Sequence, residues 1–189
     1  MLLDIAFGIL LSLFAKNYLH MQITVWLVLA CVLFSLAPDM DALFFLLTGK
    51  RINYKHREVL HYPVIFIILG LAVYAVFGRE WGILFLLGVA WHFFNDVAGC
   101  LGWGIRLFWP FSRKSVRIQL LPIHQAPGKP KLPYRFLNIW TMQEIEKNAE
   151  VYGDPDWVKN IFFKINPLLI IEIFGLTIAL VLFAIYGFG

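Results

Sequence analysis

The sequence predicts an all-α fold: a polytopic membrane helical bundle with about five membrane helices and additional short interfacial helices. Of its 189 residues, 60% are hydrophobic and only 15% are charged, and the mean hydropathy is +0.74. Soluble domains carry about 45–50% apolar and about 25% charged residues, so the excess of apolar side chains has to face lipid. The apolar runs are continuous rather than alternating, which excludes a small outer-membrane barrel.

Five apolar segments can form the membrane helices: Leu2–Ala15, Ile23–Ala37, Tyr62–Phe77, Trp81–Phe94 and Pro167–Phe188. At a rise of 1.5 Å per residue, a segment of about 15 residues covers roughly 22 Å, less than a hydrocarbon core of about 30 Å. The first four segments are therefore expected to be short for a bilayer, whereas the last is long enough to cross it.

These segments divide the chain into a membrane bundle over residues 1–101, an interfacial loop over 102–166 and a C-terminal membrane helix over 167–189. Two short helices are expected in the loop. Thr141 and Glu144 form a capping box for the first, which Gly153 ends. The Asp154-Pro155 pair offers an N-cap and a first-turn proline for the second.

The stretch from Gly102 to Pro133 interleaves aromatic residues with arginine and lysine. Aromatic rings prefer the membrane–water interface and cations prefer anionic headgroups, so we expect this stretch to lie along the membrane surface. The rings expected in the interface are those of Trp103, Phe108, Trp109 and Phe111.

The basic residues predict the orientation. If all five segments cross, fourteen of the 16 Lys and Arg residues fall on one face, and only Lys16 and Arg79 fall on the other. By the positive-inside rule, the N-terminus and both large loops are cytoplasmic and the membrane is the inner membrane.

Several candidate metal ligands lie in or beside apolar segments: Asp4 in MLLDIAF, Asp39 and Asp41 in LAPDMD, His56 and His61 in HREVLH, and His92 and Asp96 in WHFFND. In a five-helix topology all of them belong to one membrane face. His92 and Asp96 stand at i and i+4, a spacing that lets both hold one ion. Ionisable groups at this depth are costly unless they pair with one another or with a metal, so we expect one shared site.

Each of these residues also has a structural interpretation. Asp4 and Asp39 lie where carboxylates cap helices. His61 is suited to an interfacial aromatic role, and His56 to a solvated one. His20 and His124 lie apart from the clusters and are read as surface residues.

Glu58 lies between the two histidines of HREVLH and is a candidate general base, or else an ion-pair partner of Arg57 or Lys55. Arg57 is a candidate anion clamp, because guanidinium matches phosphate bidentately, or else a positive-inside anchor.

Imidazole and carboxylate without thiolate favour a divalent metal, with zinc first and manganese or iron as alternatives. Six or seven ligands exceed the need of one ion, so the set indicates one or two ions. The chemistry expected of such a centre is hydrolysis, since a bound ion activates water and polarises a phosphoryl or acyl oxygen.

The order PDMD, HREVLH, HFFND and then GWGIRLFWPFS resembles the YdjM-type family of membrane-bound metal-dependent hydrolases, over roughly residues 1–118. The family pattern runs PDxD, HRxxxH and HxxxD, and its presumed metal ligands fall on Asp39, Asp41, His56, His61, His92 and Asp96. Members tend to carry a histidine in the opening turn of the first helix, where this chain has Asp4. The glycine and small hydroxyl residue common in the second motif are Glu58 and Tyr62 here.

The function expected is therefore that of a membrane-embedded metal-dependent hydrolase, with a site at the cytoplasmic interface and a phosphoester or ester substrate such as a phospholipid. The alternative is a metal or ion transporter, or a metal-handling protein, that uses the same cluster as an ion site. The expected partners are the bilayer and a lipid or phosphoester substrate. Nucleic acid is not expected, because anionic lipid accounts more simply for the basic loops.

Overall fold

The structure, a computed structural model, describes residues 2–40, 61–99, 102–120, 125–126 and 128–187. Its long apolar helices are α1 (Leu2–Leu19), α2 (Val25–Leu36, continued by a 3-10 turn, Ala37–Asp39), α3 (Pro63–Phe77), α4 (Arg79–Ala98) and α7 (Pro167–Tyr186). The segment between α4 and α7 contains strands β1 (Ser115–Ile118) and β2 (Leu137–Trp140) and helices α5 (Met142–Tyr152) and α6 (Trp157–Phe162). The all-α membrane bundle predicted from the sequence is confirmed.

Within the described part of the chain, three helices are long and apolar enough to cross a membrane: α1, α4 and α7. Two of them were expected to be short. α1 continues through Lys16 to Leu19, and α4 begins at Arg79 and continues beyond Asp96. Their polar ends add a turn or more to the apolar run, because backbone hydrogen bonding does not stop where hydropathy falls. α2 and α3 remain short, with 12 and 15 residues.

The chain divides into two compact units. The first comprises Met1–Pro38, Ile65–His92 and Ile165–Gly189, and the second comprises Asp39–Val64 and Phe93–Lys164.

In the first unit α1 packs against both α2 and α7. The core against α2 consists of Leu11, Ala15, Leu27 and Cys31, together with Leu84 of α4. Gly8 lets the two backbones approach closely, since a Cβ there would lie 2.5 Å from Val32 Cα. This is the close packing through a small residue that membrane helices use.

α1 and α7 run parallel, and polar contacts join them at both ends. At the start, the backbone N–H of Leu2 donates to the Glu172 carboxylate across 3.0 Å. At the end, the Lys16 ammonium donates to the carbonyl oxygens of Tyr186 at 2.9 Å and Gly187 at 3.3 Å. The lysine thus satisfies carbonyl groups that have no partner within their own helix.

In the second unit β1 and β2 form an antiparallel pair, with Val116 opposite Ile139 and Arg117 opposite Asn138. This sheet was not predicted from the sequence. Arg117 is fully buried and donates through Nη2 to the carbonyl of Gly99 across 2.7 Å.

The first loop helix was predicted correctly. Helix α5 has the capping box of Thr141 and Glu144 and ends at the C-cap Gly153. The second prediction was wrong by two residues, because Asp156 rather than Asp154 is the N-cap of α6. Asp154 instead accepts hydrogen bonds from Asp156 N–H at 2.9 Å and from the Asn160 side chain at 2.8 Å. This local turn precedes the helix.

Candidate metal centre

His61 lies two residues before α3, which Pro63 opens. The residue directly before a proline is disfavoured in helical backbone, so the helix does not extend back through Tyr62 to His61. The imidazole is fully buried. Its Nε2 lies 3.4 Å from Asp39 Oδ1 and 3.3 Å from Asp96 Oδ2.

The two spacings around His61 Nε2 are of the size found between neighbouring ligand atoms of one metal ion. Bonds of about 2.0–2.2 Å at tetrahedral angles separate neighbouring ligand atoms by roughly 3.3–3.6 Å. The two measured distances are 3.3 and 3.4 Å, longer than most hydrogen bonds between charged groups. The Asp39 side chain keeps 27% of its surface exposed, against 9% for Asp96, so the group has a carboxylate at its solvent side. Imidazole and carboxylate are both donors that divalent metal ions accept.

His92 lies on α4 one turn before Asp96, so the two side chains share a helix face, as the sequence predicts. Its ring is buried, and its Nδ1 lies 3.0 Å from the carbonyl oxygen of Ser35, near the end of α2. A carbonyl only accepts, so Nδ1 carries the proton and Nε2 carries the lone pair. A backbone carbonyl that fixes the tautomer in this way is the usual support of a metal-binding histidine.

Asp4 is buried in the first turn of α1, and its Oδ1 lies 3.7 Å from His92 Nδ1. This distance exceeds that of a hydrogen bond but is close enough for a strong electrostatic interaction. The carboxylate therefore lies behind the imidazole, on the side of Nδ1.

Among the described residues, Asp39, His61 and His92 form a group compact enough to hold one metal ion. Three other predicted site residues, Asp41, His56 and Glu58, lie outside the described residues, as does Arg57. Their assignment as ligands, base and anion clamp stays a prediction. His20 is exposed, as expected of a surface residue.

Tyr62, the neighbour of His61, connects the site to the interfacial segment. Its hydroxyl accepts a hydrogen bond from Arg106 Nη1 across 3.0 Å, and its ring centroid lies 4.9 Å from that of Trp109. These contacts position a guanidinium and an indole next to the residue that precedes α3. The sequence placed Arg106 and Trp109 in a surface loop, but their individual contacts with Tyr62 were not predicted.

Glu172, a buried carboxylate inside the apolar helix α7, was not predicted from the sequence. The signal was available, because an ionisable residue inside an apolar run requires a partner. The partner itself, the N–H of Leu2, lies 170 residues away along the chain and is visible only in the fold.

Neither a curated protein nor a solved structure matches this chain. The sequence pattern of one family, described as YdjM inner membrane protein, matches residues 3–153, which include all four motifs found in the sequence. The match extends over most of the chain and agrees with its apolar helices. The chain therefore belongs to the YdjM inner membrane protein family.

Proposed function

We propose that the protein is a membrane-embedded metal-dependent hydrolase that acts on a phosphoester or ester of lipid-like character. The observation that carries the proposal is the buried His61 imidazole with Nε2 at 3.4 and 3.3 Å from two carboxylates, Asp39 and Asp96. This donor set and spacing suit a zinc-type ion.

The proposed roles divide between holding the ion and handling the substrate. A divalent ion bound there would supply a Lewis acid and a water of lowered pKa. Asp39, His61 and Asp96 would hold it, with His92 on the same face of α4 as Asp96. Glu58 would act as the general base, and Arg57 would bind the anionic oxygens of a phosphoester.

The positions of these residues along their helices favour hydrolysis over ion transport. Asp4 is in the first turn of α1, Asp39 ends the 3-10 turn after α2, His61 precedes α3 and Asp96 is in the last turn of α4. A transport site is expected near the middle of the helices, whereas all of these residues stand at helix ends.

We also propose that the N-terminus and the membrane face that carries the metal site are cytoplasmic. The proposal is supported by the bias of the basic residues and by the parallel α1 and α7, which require an odd number of crossings between them. Among the described residues, the apolar helices between α1 and α7 are α2, α3 and α4, which agrees with an odd number of crossings. Fusion of a reporter to the C-terminus tests it: alkaline phosphatase is expected to be active there, and green fluorescent protein dark. The opposite pair of results would reverse the orientation.

Metal analysis of the full chain tests the centre. Protein purified in detergent without chelator is expected to carry zinc, manganese or iron, measured by plasma mass spectrometry. His61→Ala and His92→Ala are expected to lose at least about tenfold in bound metal, whereas the exposed control His20→Ala retains it. Asp96→Asn is also expected to lose metal. Because this substitution keeps the size of the side chain, its loss of metal would not be explained by misfolding. Equal metal content in wild type and all three site variants would refute the centre.

Turnover tests the reaction separately. Wild-type protein is expected to hydrolyse bis-p-nitrophenyl phosphate or p-nitrophenyl acetate, to lose this activity on chelation and to regain it with Zn²⁺ or Mn²⁺. Metal binding without turnover of these esters or of phospholipid vesicles would favour the metal-handling alternative.

A further inference from the structure

A groove of about 770 Å³ lies in the second unit, between the segment that follows α4 and the start of α5. Its lining includes three cations, Arg106, Arg113 and Lys114, and two aromatic rings, Trp109 and Phe111. Ser112 and Thr141 add hydroxyl groups. Concentration of positive charge in a concave surface raises the local concentration of anions.

One of the three cations is held in place. Arg106 is half-buried and donates through Nη1 to the Tyr62 hydroxyl, whose ring also packs near Trp109. A guanidinium fixed in this way loses little conformational entropy when it binds an oxyanion, and its planar fork matches phosphate oxygens. Arg113 and Lys114 are exposed and can move toward the same anion.

The aromatic residues indicate an anion that is attached to an apolar body. Phe111 is 97% exposed and Phe108 is 57% exposed, beside the cations rather than apart from them. Exposed phenylalanine has no reason to line a site for a free inorganic anion. Rings next to cations are typical of segments that lie among lipid headgroups.

A carboxylate that competes with a bound anion lies next to the groove, bonded to Thr141 of its lining. The Glu144 carboxylate accepts hydrogen bonds from the Thr141 backbone N–H at 2.7 Å and hydroxyl at 2.9 Å, and it also attracts Lys114. It neutralises part of the charge of the groove.

We propose that this groove binds the phosphate of an anionic phospholipid headgroup, with Arg106, Arg113 and Lys114 as the phosphate ligands and Glu144 as an internal counter-anion that weakens the binding. The site does not depend on the metal centre. It gives the chain a specific contact with anionic lipid, in addition to the non-specific attraction of its basic loops.

Calorimetric titration of the full chain in a neutral detergent with short-chain phosphatidylglycerol tests the proposal. The double variant Arg113→Gln/Lys114→Gln is expected to weaken binding about tenfold or more, because each basic residue near an anionic headgroup contributes a factor of about five. Both side chains are exposed, so the fold is expected to persist. Lys131→Gln, an exposed lysine outside the groove lining, is the matched control and is expected to bind as wild type.

Glu144→Gln is expected to bind the lipid about threefold more tightly, because glutamine keeps the capping box but removes the charge. Short-chain phosphatidylcholine and inorganic phosphate are expected to bind at least about tenfold more weakly than phosphatidylglycerol. Inorganic phosphate that bound as tightly as phosphatidylglycerol would assign the groove to free phosphate. Equal weakening by Lys131→Gln and the double variant would show that the lipid is attracted by the overall positive charge and not bound in the groove. Either result would overturn the proposal.

Discussion

The His92 imidazole donates its Nδ1 proton to the backbone carbonyl oxygen of Ser35 across 3.0 Å. This bond connects the end of α2 with α4 and fixes one tautomer of the ring. The ring orientation is therefore set by backbone, which no side-chain substitution at position 35 removes. Ser35→Ala should consequently leave any bound metal in place, whereas changes to the groups around Nδ1 should not.

Substitution of Asp4 tests whether the groups around His92 Nδ1 affect metal binding. Its carboxylate lies 3.7 Å from Nδ1, so it favours an electron-rich imidazole, and Asp4→Ala is expected to lower metal affinity about ten- to hundredfold. Asp4→His, which restores the residue usual in the family, is expected to retain metal. The measurement is metal content after dialysis against graded chelator.

If Asp4 only caps α1, Asp4→Asn should leave metal content and turnover near those of wild type. Unchanged metal and activity in Asp4→Ala would refute its role in the site.

Gly8→Ala is expected to lower the free energy of unfolding by about 1–3 kcal/mol. The new Cβ would meet Val32 Cα at 2.5 Å and the Cys31 carbonyl at 2.9 Å, and both belong to the backbone of α2. Gly175→Ala is the matched control, because its Cβ would meet only the terminal Leu3 Cδ2, which can rotate away. In thermal unfolding in detergent, Gly8→Ala should have a clearly lower melting temperature than Gly175→Ala. Equal losses of stability in the two variants would contradict the packing interpretation.

Trp109→Ala is expected to reduce turnover of a vesicle-borne phospholipid severalfold, while hydrolysis of a small soluble ester stays near wild type. The indole packs near Tyr62 and lines the basic groove, so its loss affects access of an interfacial substrate rather than the metal ligands. Trp26→Ala, an exposed tryptophan on α2, serves as control. A proportional fall of both activities would show that Trp109 supports the centre itself.

The stability of the start of α5 should depend on the ionisation of Glu144. Hydrogen bonds from the Thr141 backbone and hydroxyl hold the pKa of the Glu144 carboxyl below its usual value. The ionised form is thus the stabilising one: its contribution is complete above the ordinary carboxyl pKa and disappears as the pH falls through the lowered value.

Carbon chemical shifts of labelled Glu144 against pH report this pKa directly. Thr141→Ala should raise it toward the ordinary value, and the distant Thr177→Ala should not. An unchanged titration in Thr141→Ala would show that the capping box is not responsible.

Local patterns explain what the sequence could predict. The capping box of Thr141 and Glu144 depends on residues three apart, and the shared face of His92 and Asp96 depends only on helical periodicity. Hydropathy likewise located the apolar segments, although it did not give their exact limits. It ended the first segment at Ala15, before the end of α1, and began the fourth at Trp81, after the start of α4. Hydropathy measures side chains, whereas the helices continue as long as the backbone remains bonded.

Long-range pairing explains what the sequence did not predict. β1 and β2 are four residues each and are separated by residues 119–136, so neither is recognisable without its partner. The sequence placed Asp39, His61 and Asp96 at one membrane face, but it did not predict that both carboxylates lie next to the His61 imidazole. Their distances of 3.4 and 3.3 Å depend on how α3 begins at Pro63, which spacing along the chain does not specify.

The parallel pairing of α1 and α7 has a consequence for biogenesis. Lys16 meets the Tyr186 and Gly187 carbonyls only after the residues between α1 and the end of α7 have been made. Ala6 and Ile9 likewise pack against Ala179, which is synthesised long after them. This side of α1 is therefore covered by protein only once α7 is in place, and a chain truncated before α7 would leave it facing lipid.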